Sequence, residues 1–314
     1  MIGQTTKGDL EPSSFVYCQW IYNHCMTSIP YELLLSYRNE TYRLLPGERI
    51  SNRDEAVEFV NQRGFIYFWP IRDILLPSLW TAVAGDRPVA EAHDDPGHVT
   101  WGWKDSLIGK NEWYYAKALR RKATIISMDI APYFYALSEN YGSPEDDYLI
   151  LYQQGHLTQE AKAVYQAILE NGPLDTIALR RAARLSSRES DSRFNKALAD
   201  LQAGFLLVPM AVTQAGAWRY AFAYDIVARH HPEIVEKARY IGELDARRKL
   251  VELYFRSVGG AQLRDVNMLF RWKPADVSST IDYWVENQLI RKVEIEGQSG
   301  EWLILQDLFL EHRE

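Results

Sequence analysis

The sequence predicts a mostly α-helical protein with small β-hairpin wings, an α+β fold built from tandem winged helix-turn-helix modules. Between residues 158 and 223, three amphipathic helical segments are followed by two β-like runs. The same order returns about 85 residues later, as expected for an array of one supersecondary unit. With 314 residues, the chain is also longer than one hydrophobic core usually becomes, so several modules are expected.

The middle module is predicted over residues 156–228. Thr158 is a suitable N-cap for its first helix, and Gly172 is a suitable end. A short second helix begins with Asp175 or Thr176 as its cap, and a longer third helix keeps its apolar residues on one face. Two β-like runs joined by a glycine-containing turn then predict the hairpin of the wing.

The last module is predicted over residues 244–306. Its first helix starts at Asp245 and is broken by Gly259 and Gly260. Pro274 stands in the first turn of its third helix, a position that proline favours. Two further β-like runs complete a second winged helix.

The third helix of this last module is acidic. It carries Asp276, Asp282 and Glu286, and the segment 274–288 contains no lysine or arginine. Such a helix should repel phosphate. We therefore expect it to pack against another module or to bind a protein partner.

Residues 1–150 are predicted to form an aromatic-rich N-terminal domain, a degenerate winged helix with an insertion. Asn52 opens a capping-box-like sequence, and Gly64 suits the end of the helix that follows. The apolar run over residues 113–128 is predicted to be a helix end followed by a strand. The Gly-, Pro- and Asp-rich stretch 85–102 is predicted to be a long ordered loop.

Composition limits the class of protein further. Apolar residues make up 47% and charged residues 25% of the chain, values typical of globular proteins rather than disordered or fibrous ones. No stretch approaches the roughly 18 apolar residues needed to cross a bilayer, so we expect a cytoplasmic protein without a membrane partner. Cys18 and Cys25 have no second pair and are interpreted as free thiols.

Common catalytic motifs are missing from the sequence. It contains no Gly-rich phosphate loop, nucleophile elbow or HExxH pattern, so no cofactor is expected. Two histidines and two aspartates occur within residues 93–99, but their spacing matches no metal-ligand pattern. This segment is predicted to be a loop, and no metal site is predicted.

A local basic cluster predicts that the partner is double-stranded DNA, although the net charge is −7. Winged helices most often bind duplex DNA with the third helix in the major groove. Opposed only by Glu189 and Asp191, six basic residues surround that helix in the middle module: Arg180, Arg181, Arg184, Arg188, Arg193 and Lys196. Arg180 and Arg184 are one helical turn apart and should contact the same run of phosphates. The alternative is a solvated helical face paired with acidic neighbours.

Four segments together resemble a known family: "GFIYFWPIRDILLPSLWTAVAG", "YYAKALRRKATIISMDIAPYF", "AILENGPLDTIALRR" and "LYFRSVGGAQLRDVNMLFRW". Their succession resembles the tandem winged-helix family of AlkZ-like bacterial DNA glycosylases, which release alkylated or crosslinked bases in DNA repair. The resemblance covers roughly residues 50–305. Module order and helix-turn patterns carry it, more than any invariant motif.

The resemblance implies a Gln-x-Gln or Gln-x-Asp motif just after the first helix of the first module. In such enzymes a polar side chain stabilises an oxocarbenium-like transition state and positions water. An ungapped match places Ile66, Tyr67 and Phe68 at the motif, and neither Ile66 nor Phe68 can accept a proton or orient water. Ile125 or Ile126 stands where the family tends to have a histidine.

These departures predict a DNA-binding protein on a glycosylase-like scaffold that is non-catalytic or of altered activity. One alternative is an active glycosylase in which Asp73 or Gln62 serves as the polar group. Another is a pocket without catalysis, in which Tyr67 and Trp69 stack on a base or a small planar ligand. The stretch around Tyr67 is otherwise a buried strand or helix end, and a protein-interaction scaffold is the remaining alternative.

Overall fold

The computed structural model describes residues 28–216 and 219–311, so Cys18 and Cys25 lie outside the described residues. The first described elements are strand β1 (Ser28–Ile29) and helix α1 (Tyr31–Thr41). After them, one order of elements occurs three times: helix, strand, helix, helix, strand, strand. None of the described helices is long and apolar enough to cross a membrane.

The first module contains a three-stranded antiparallel sheet in the order β2-β4-β3. Its elements are α2 (Arg53–Arg63), β2 (Phe65–Tyr67), α3 (Leu79–Ala84), α4 (Val99–Leu107), β3 (Tyr114–Ala116) and β4 (Thr124–Ile126). Two short helices, α5 (Ala131–Ala136) and α6 (Asp147–Gln153), connect it to the second module.

The second module repeats this topology, with the sheet order β5-β7-β6. Its elements are α7 (Gln159–Asn171), β5 (Leu174–Asp175), α8 (Thr176–Ala182), α9 (Asp191–Ala203), β6 (Leu207–Thr213) and β7 (Ala221–Ile226). Helices α10 (Val227–His230) and α11 (Pro232–Ala238) lead to the third module.

The third module has the same order, and β1 extends its sheet to β1-β9-β10-β8. Its elements are α12 (Glu243–Val258), β8 (Gly260–Ala261), α13 (Leu263–Phe270), α14 (Pro274–Glu286), β9 (Ile290–Ile295), β10 (Trp302–Leu305) and a final helix α15 (Gln306–Glu311). The predicted fold class, a mostly α protein with small β-hairpins in winged-helix modules, is confirmed.

Residues near the N-terminus pack on the last module. Strand β1 pairs in parallel with β9. The buried guanidinium of Arg38 in α1 donates hydrogen bonds to the carbonyls of Val258 at 3.0 Å and Gly260 at 2.7 Å. The described residues 28–41 therefore stabilise the third module, and the module boundaries 1–150, 156–228 and 244–306 stay a prediction.

Local signals in the sequence explain several helix ends. The side chain of Asn52 accepts a hydrogen bond from the Glu55 amide at 3.0 Å, and the side chain of Thr158 caps α7 in the same way. Gly64 ends α2 with φ of +78°, and a Cβ atom there would lie 2.7 Å from Leu253 Cδ1. Both the left-handed backbone and the close approach of α12 require glycine at this position.

Two predicted elements of the first module are wrong. Residues 113–128 contain the hairpin β3–β4, because aromatic and β-branched residues on both sides of the turn favour strands. Its turn includes Arg120 and Arg121 in the left-handed region. The stretch 85–102 starts as a loop, but α4 already begins at Val99.

The strand β2 separates two cores, because successive side chains of a strand point to opposite faces. Ile66, together with Phe68 just beyond the strand, packs into the core of the first module, beside Ile125. Phe65 and Tyr67 point the other way, into a large core shared with the third module. The second module has a separate core of its own.

His231, between α10 and α11, should make stability depend on pH. Its side chain is 2% exposed and lies beside the rings of Tyr114 and His230. Burial and the neighbouring His230 lower the pKa of His231 to about 4, although Glu233 at 3.3 Å acts in the opposite direction. In the unfolded chain His231 therefore binds a proton near pH 6.5, whereas in the folded protein it does so only near pH 4.

Stability should consequently fall as the pH falls through this window, by about 2 kcal/mol between pH 7.5 and 5. Denaturant unfolding at both pH values measures the difference. His231→Gln should lose that part of the pH dependence, whereas a change of the exposed His93 to Gln should keep it. An equal pH dependence in wild type and His231→Gln would show that His231 is not buried in its neutral form.

Candidate nucleic-acid interface

The turn before α9 is fixed by its own hydrogen bonds. Asp175 caps α8 by accepting hydrogen bonds from the amides of Ile177 and Ala178. The buried hydroxyl of Ser190 donates to the carbonyls of Leu185 and Ser187, at 2.8 and 2.7 Å as alternative acceptors. The start of α9 is therefore held rigidly against the end of α8, as in a helix-turn-helix.

Arg180 is part of this scaffold. Its guanidinium lies 4.9 Å from the ring centre of Phe194, donates to the Leu185 carbonyl at 3.2 Å and forms an ion pair with Asp191. Arg184 lies beyond the end of α8 with φ of +57°, so the expected one-turn spacing of Arg180 and Arg184 does not apply. The two side chains therefore have different surroundings.

Five of the six predicted basic residues are exposed around the start of α9. Arg181, Arg184 and Arg188 have no ion-pair partner within the described part of the chain. Arg193 is paired with Glu160 at 3.0 Å, and Lys196 with Asp200 at 2.7 Å. The sequence analysis did not identify either acid as a partner, because Glu160 lies on a different helix and Asp200 lies a full turn further along α9.

The hairpin β3–β4, which is the wing of the first module, covers the C-terminal half of α9. The backbone amide of Lys117 donates to Gln202 Oε1 at 3.1 Å, and Arg121 forms an ion pair with Asp200. On the other side of the same turn, Arg120 donates to the carbonyl of Met268 in α13. The wing of the first module is thus held between the second and third modules, and only the N-terminal half of α9 is open.

The reverse contact also exists, because the second module's wing packs on α4 of the first. The ammonium group of Lys104 in α4 donates to the Tyr220 hydroxyl at 2.8 Å and lies 2.9 Å from Asp105. Five aromatic ring centres surround it at 4.7 to 5.6 Å, those of Phe68, Trp101, Tyr115, Tyr220 and Phe222. Burial lowers the pKa of Lys104, although Asp105 opposes this shift.

The strand at which the family resemblance places a polar motif is buried. Ile66 and Tyr67 have no exposed surface, and Phe68 is 2% exposed. Ile125 and Ile126, at the position expected for histidine, are equally buried in β4. No carboxylate or amide from these positions reaches solvent.

Gln62 and Asp73, the alternative polar groups, are both exposed. The Gln62 side chain donates to Glu58 at 2.8 Å, and the groove beside it is lined by Glu48, Glu55 and Glu58 as well as two arginines. Asp73 is 79% exposed and lies 3.6 Å from Arg72. Their catalytic role stays a prediction.

Tyr67 and Trp69 do not meet in one pocket. Tyr67 belongs to the shared core, and its hydroxyl has no hydrogen-bond partner among the described residues. Burial raises the pKa of Tyr67 to about 12 despite the nearby charges of Arg120 and Arg271. Trp69 is half-buried on the other side, among the rings of Trp80 and other aromatic residues of the first module. The strand ends after Tyr67, so the alternation that would align the two rings is lost.

The remaining candidates have structural surroundings. In the segment 93–99, Asp95 binds Arg87 at 2.6 Å and caps the Gly97 amide. Within the described ranges, no group of three His, Cys, Asp or Glu residues is arranged to hold a metal. Among the described residues, the acidic helix α14 packs mainly on α12 of its own module, where packing against another module was expected, and Asp282 and Glu286 are exposed.

The fold defines a tandem winged-helix protein. Residues 50–271 match the model of a family described as AlkZ related, and the chain belongs to that family. The structure of Streptomyces sahachiroi DNA glycosylase AlkZ is similar, with a TM-score of 0.58 and 12% sequence identity over 90% of this chain and 72% of that one. At this identity the likeness shows a shared fold. No curated protein matches the sequence.

Proposed function

We propose that the protein binds double-stranded DNA through the N-terminal half of α9 and the turn before it, without excising a base. The observation that carries this proposal is the group of exposed, unpaired arginines Arg181, Arg184 and Arg188, considered among the described residues. They surround the helix that enters the major groove in winged-helix proteins. Arginines placed in this way contact phosphates and set the register of the helix.

The exposed side of α9 also offers groups for base edges. Ser192 and Asn195 are exposed on its first turns, and both types of side chain can donate and accept hydrogen bonds. Arg193 and Lys196 are each more than half exposed in their ion pairs. Surface pairs of this kind contribute only about 0–1 kcal/mol, so a phosphate can replace the acid.

The proposal that no base is excised is supported by the burial of β2, the strand at which the family resemblance places the polar motif. A glycosylase needs a polar group beside the anomeric carbon, whereas Ile66 and Phe68 face the core of the first module. The Gln62 side chain already donates to Glu58, and the groove beside it is lined by three glutamates and two arginines, so this groove offers a phosphate chain no net positive charge. A protein of this kind would recognise DNA as a lesion sensor or regulator.

One assay tests both parts of the proposal. Purified protein is incubated with a labelled duplex carrying alkylated bases, and the same samples are analysed for complex formation and for strand breaks after alkali. We expect a complex and no breaks. Breaks that disappear in Asp73→Asn or Gln62→Ala would instead establish an active glycosylase, and no complex would refute DNA binding.

A further inference from the structure

Asp200 neutralises two cations that come from different modules. Its carboxylate accepts a hydrogen bond from Lys196 Nζ at 2.7 Å and is paired with Arg121 of the first module's wing. The Asp200 side chain is 15% exposed, whereas Arg121 and Lys196 are 54% and 63% exposed. Both cations are therefore accessible from solvent, although their acidic partner lies behind them.

The same wing carries two more cations. Lys117 and Lys122 are exposed, and neither forms an ion pair with any described residue. Partial burial and the nearby charge of Lys122 lower the pKa of Lys117. Positive charge is consequently concentrated on this wing, and a bound anion would reduce the repulsion between these lysines.

The wing is preorganised beside α9. The Lys117 amide is held by Gln202, and Arg120 is held by the Met268 carbonyl of the third module. A wing normally contacts the DNA backbone next to the recognition helix of its own module. The second module's own wing instead packs on α4 through Tyr220 and Lys104, so the position beside α9 is filled by the wing of the first module.

We infer that the first module's wing and Lys196 form a second phosphate-binding surface, and that Asp200 stands in for a phosphate there in the free protein. This inference rests on the proposed DNA-binding function. Two oxygens of one phosphate can accept hydrogen bonds from Arg121 and Lys196. In the free protein, the two oxygens of the Asp200 carboxylate accept these bonds. Asp200 therefore lowers the affinity for DNA by competing with the backbone.

The test is the salt dependence of binding to an undamaged labelled duplex, measured by fluorescence anisotropy. Asp200→Asn keeps the shape of the side chain and removes its charge. We expect roughly tenfold tighter binding at low salt and a log-log slope steeper by about one, because each phosphate neutralised contributes about 0.9. The double variant Lys117→Ala/Lys122→Ala should bind more weakly, with a slope smaller by about two.

Glu301→Gln is the matched control, since it removes the same charge from an exposed ion pair with Lys292 on the third module's wing. It should leave the slope unchanged, and thermal melting should confirm that all variants are folded. If wild type binds DNA and both Asp200→Asn and the double lysine variant show the wild-type salt slope, this inference is overturned and the proposed function stays intact. No binding by any variant would overturn both.

Discussion

Replacing Arg181, Arg184 and Arg188 together by alanine should weaken duplex binding roughly a hundredfold at low salt and reduce the log-log salt slope by about three. The three guanidinium groups are exposed, and none has an ion-pair partner among the described residues. Each can therefore contact a phosphate without first breaking a protein contact. Anisotropy titrations at several salt concentrations measure both quantities.

A triple change at other exposed basic residues is the control for net charge. Arg53, Arg72 and Lys110 belong to the first module, and the only ion pairs of Arg53 and Arg72 with described residues are those with the adjacent Asp54 and Asp73. Replacing them by alanine should change the slope by less than one. Equal effects of the two triple variants would mean that binding follows total charge and that the turn before α9 is not the docking face.

Lys104→Ala should lower the free energy of unfolding by about 3–5 kcal/mol, the range for breaking a buried pair. The change removes the cation from five aromatic rings and leaves Asp105 and Tyr220 without their ammonium partner. It also creates a cavity between the first module and the wing of the second. Chemical denaturation followed by tryptophan fluorescence measures the loss.

Two further changes separate charge from packing at Lys104. Lys104→Met keeps an apolar chain among the rings and should recover part of the loss. Lys110→Ala, at an exposed lysine shortly after the same helix, should change stability by less than about 0.5 kcal/mol. A loss below about 1 kcal/mol in Lys104→Ala would contradict the view that this contact joins the two modules.

Local signals in the sequence were sufficient for the three-helix order of the second and third modules, but not for the helices of the first. Asn52, Thr158 and Asp175 cap helices as predicted, because a cap depends on residues within one turn. The hairpin over residues 113–128 was misassigned because short apolar runs do not distinguish a helix end from a strand. Tyr67 and Trp69 are two residues apart and would share one face of a continuous strand, but β2 ends at Tyr67.

Contacts between modules were beyond the reach of the sequence. Lysine is usually a surface residue, yet the second module's wing buries Lys104 through Tyr220, which lies more than a hundred residues away in the sequence. The basic run 120–122 was visible, but its position beside α9 depends on Asp200 and Gln202. Such placement follows from the packing of whole modules and leaves no periodic signal.

DNA binding itself is tested most directly by titrating wild-type protein into an undamaged labelled duplex at several salt concentrations. The arginines of the turn and the wing of the first module predict a clear negative slope of log affinity against log salt, because bound phosphates release counterions. Absence of binding at the lowest salt would contradict the proposed function and would direct attention to protein partners of the winged-helix modules.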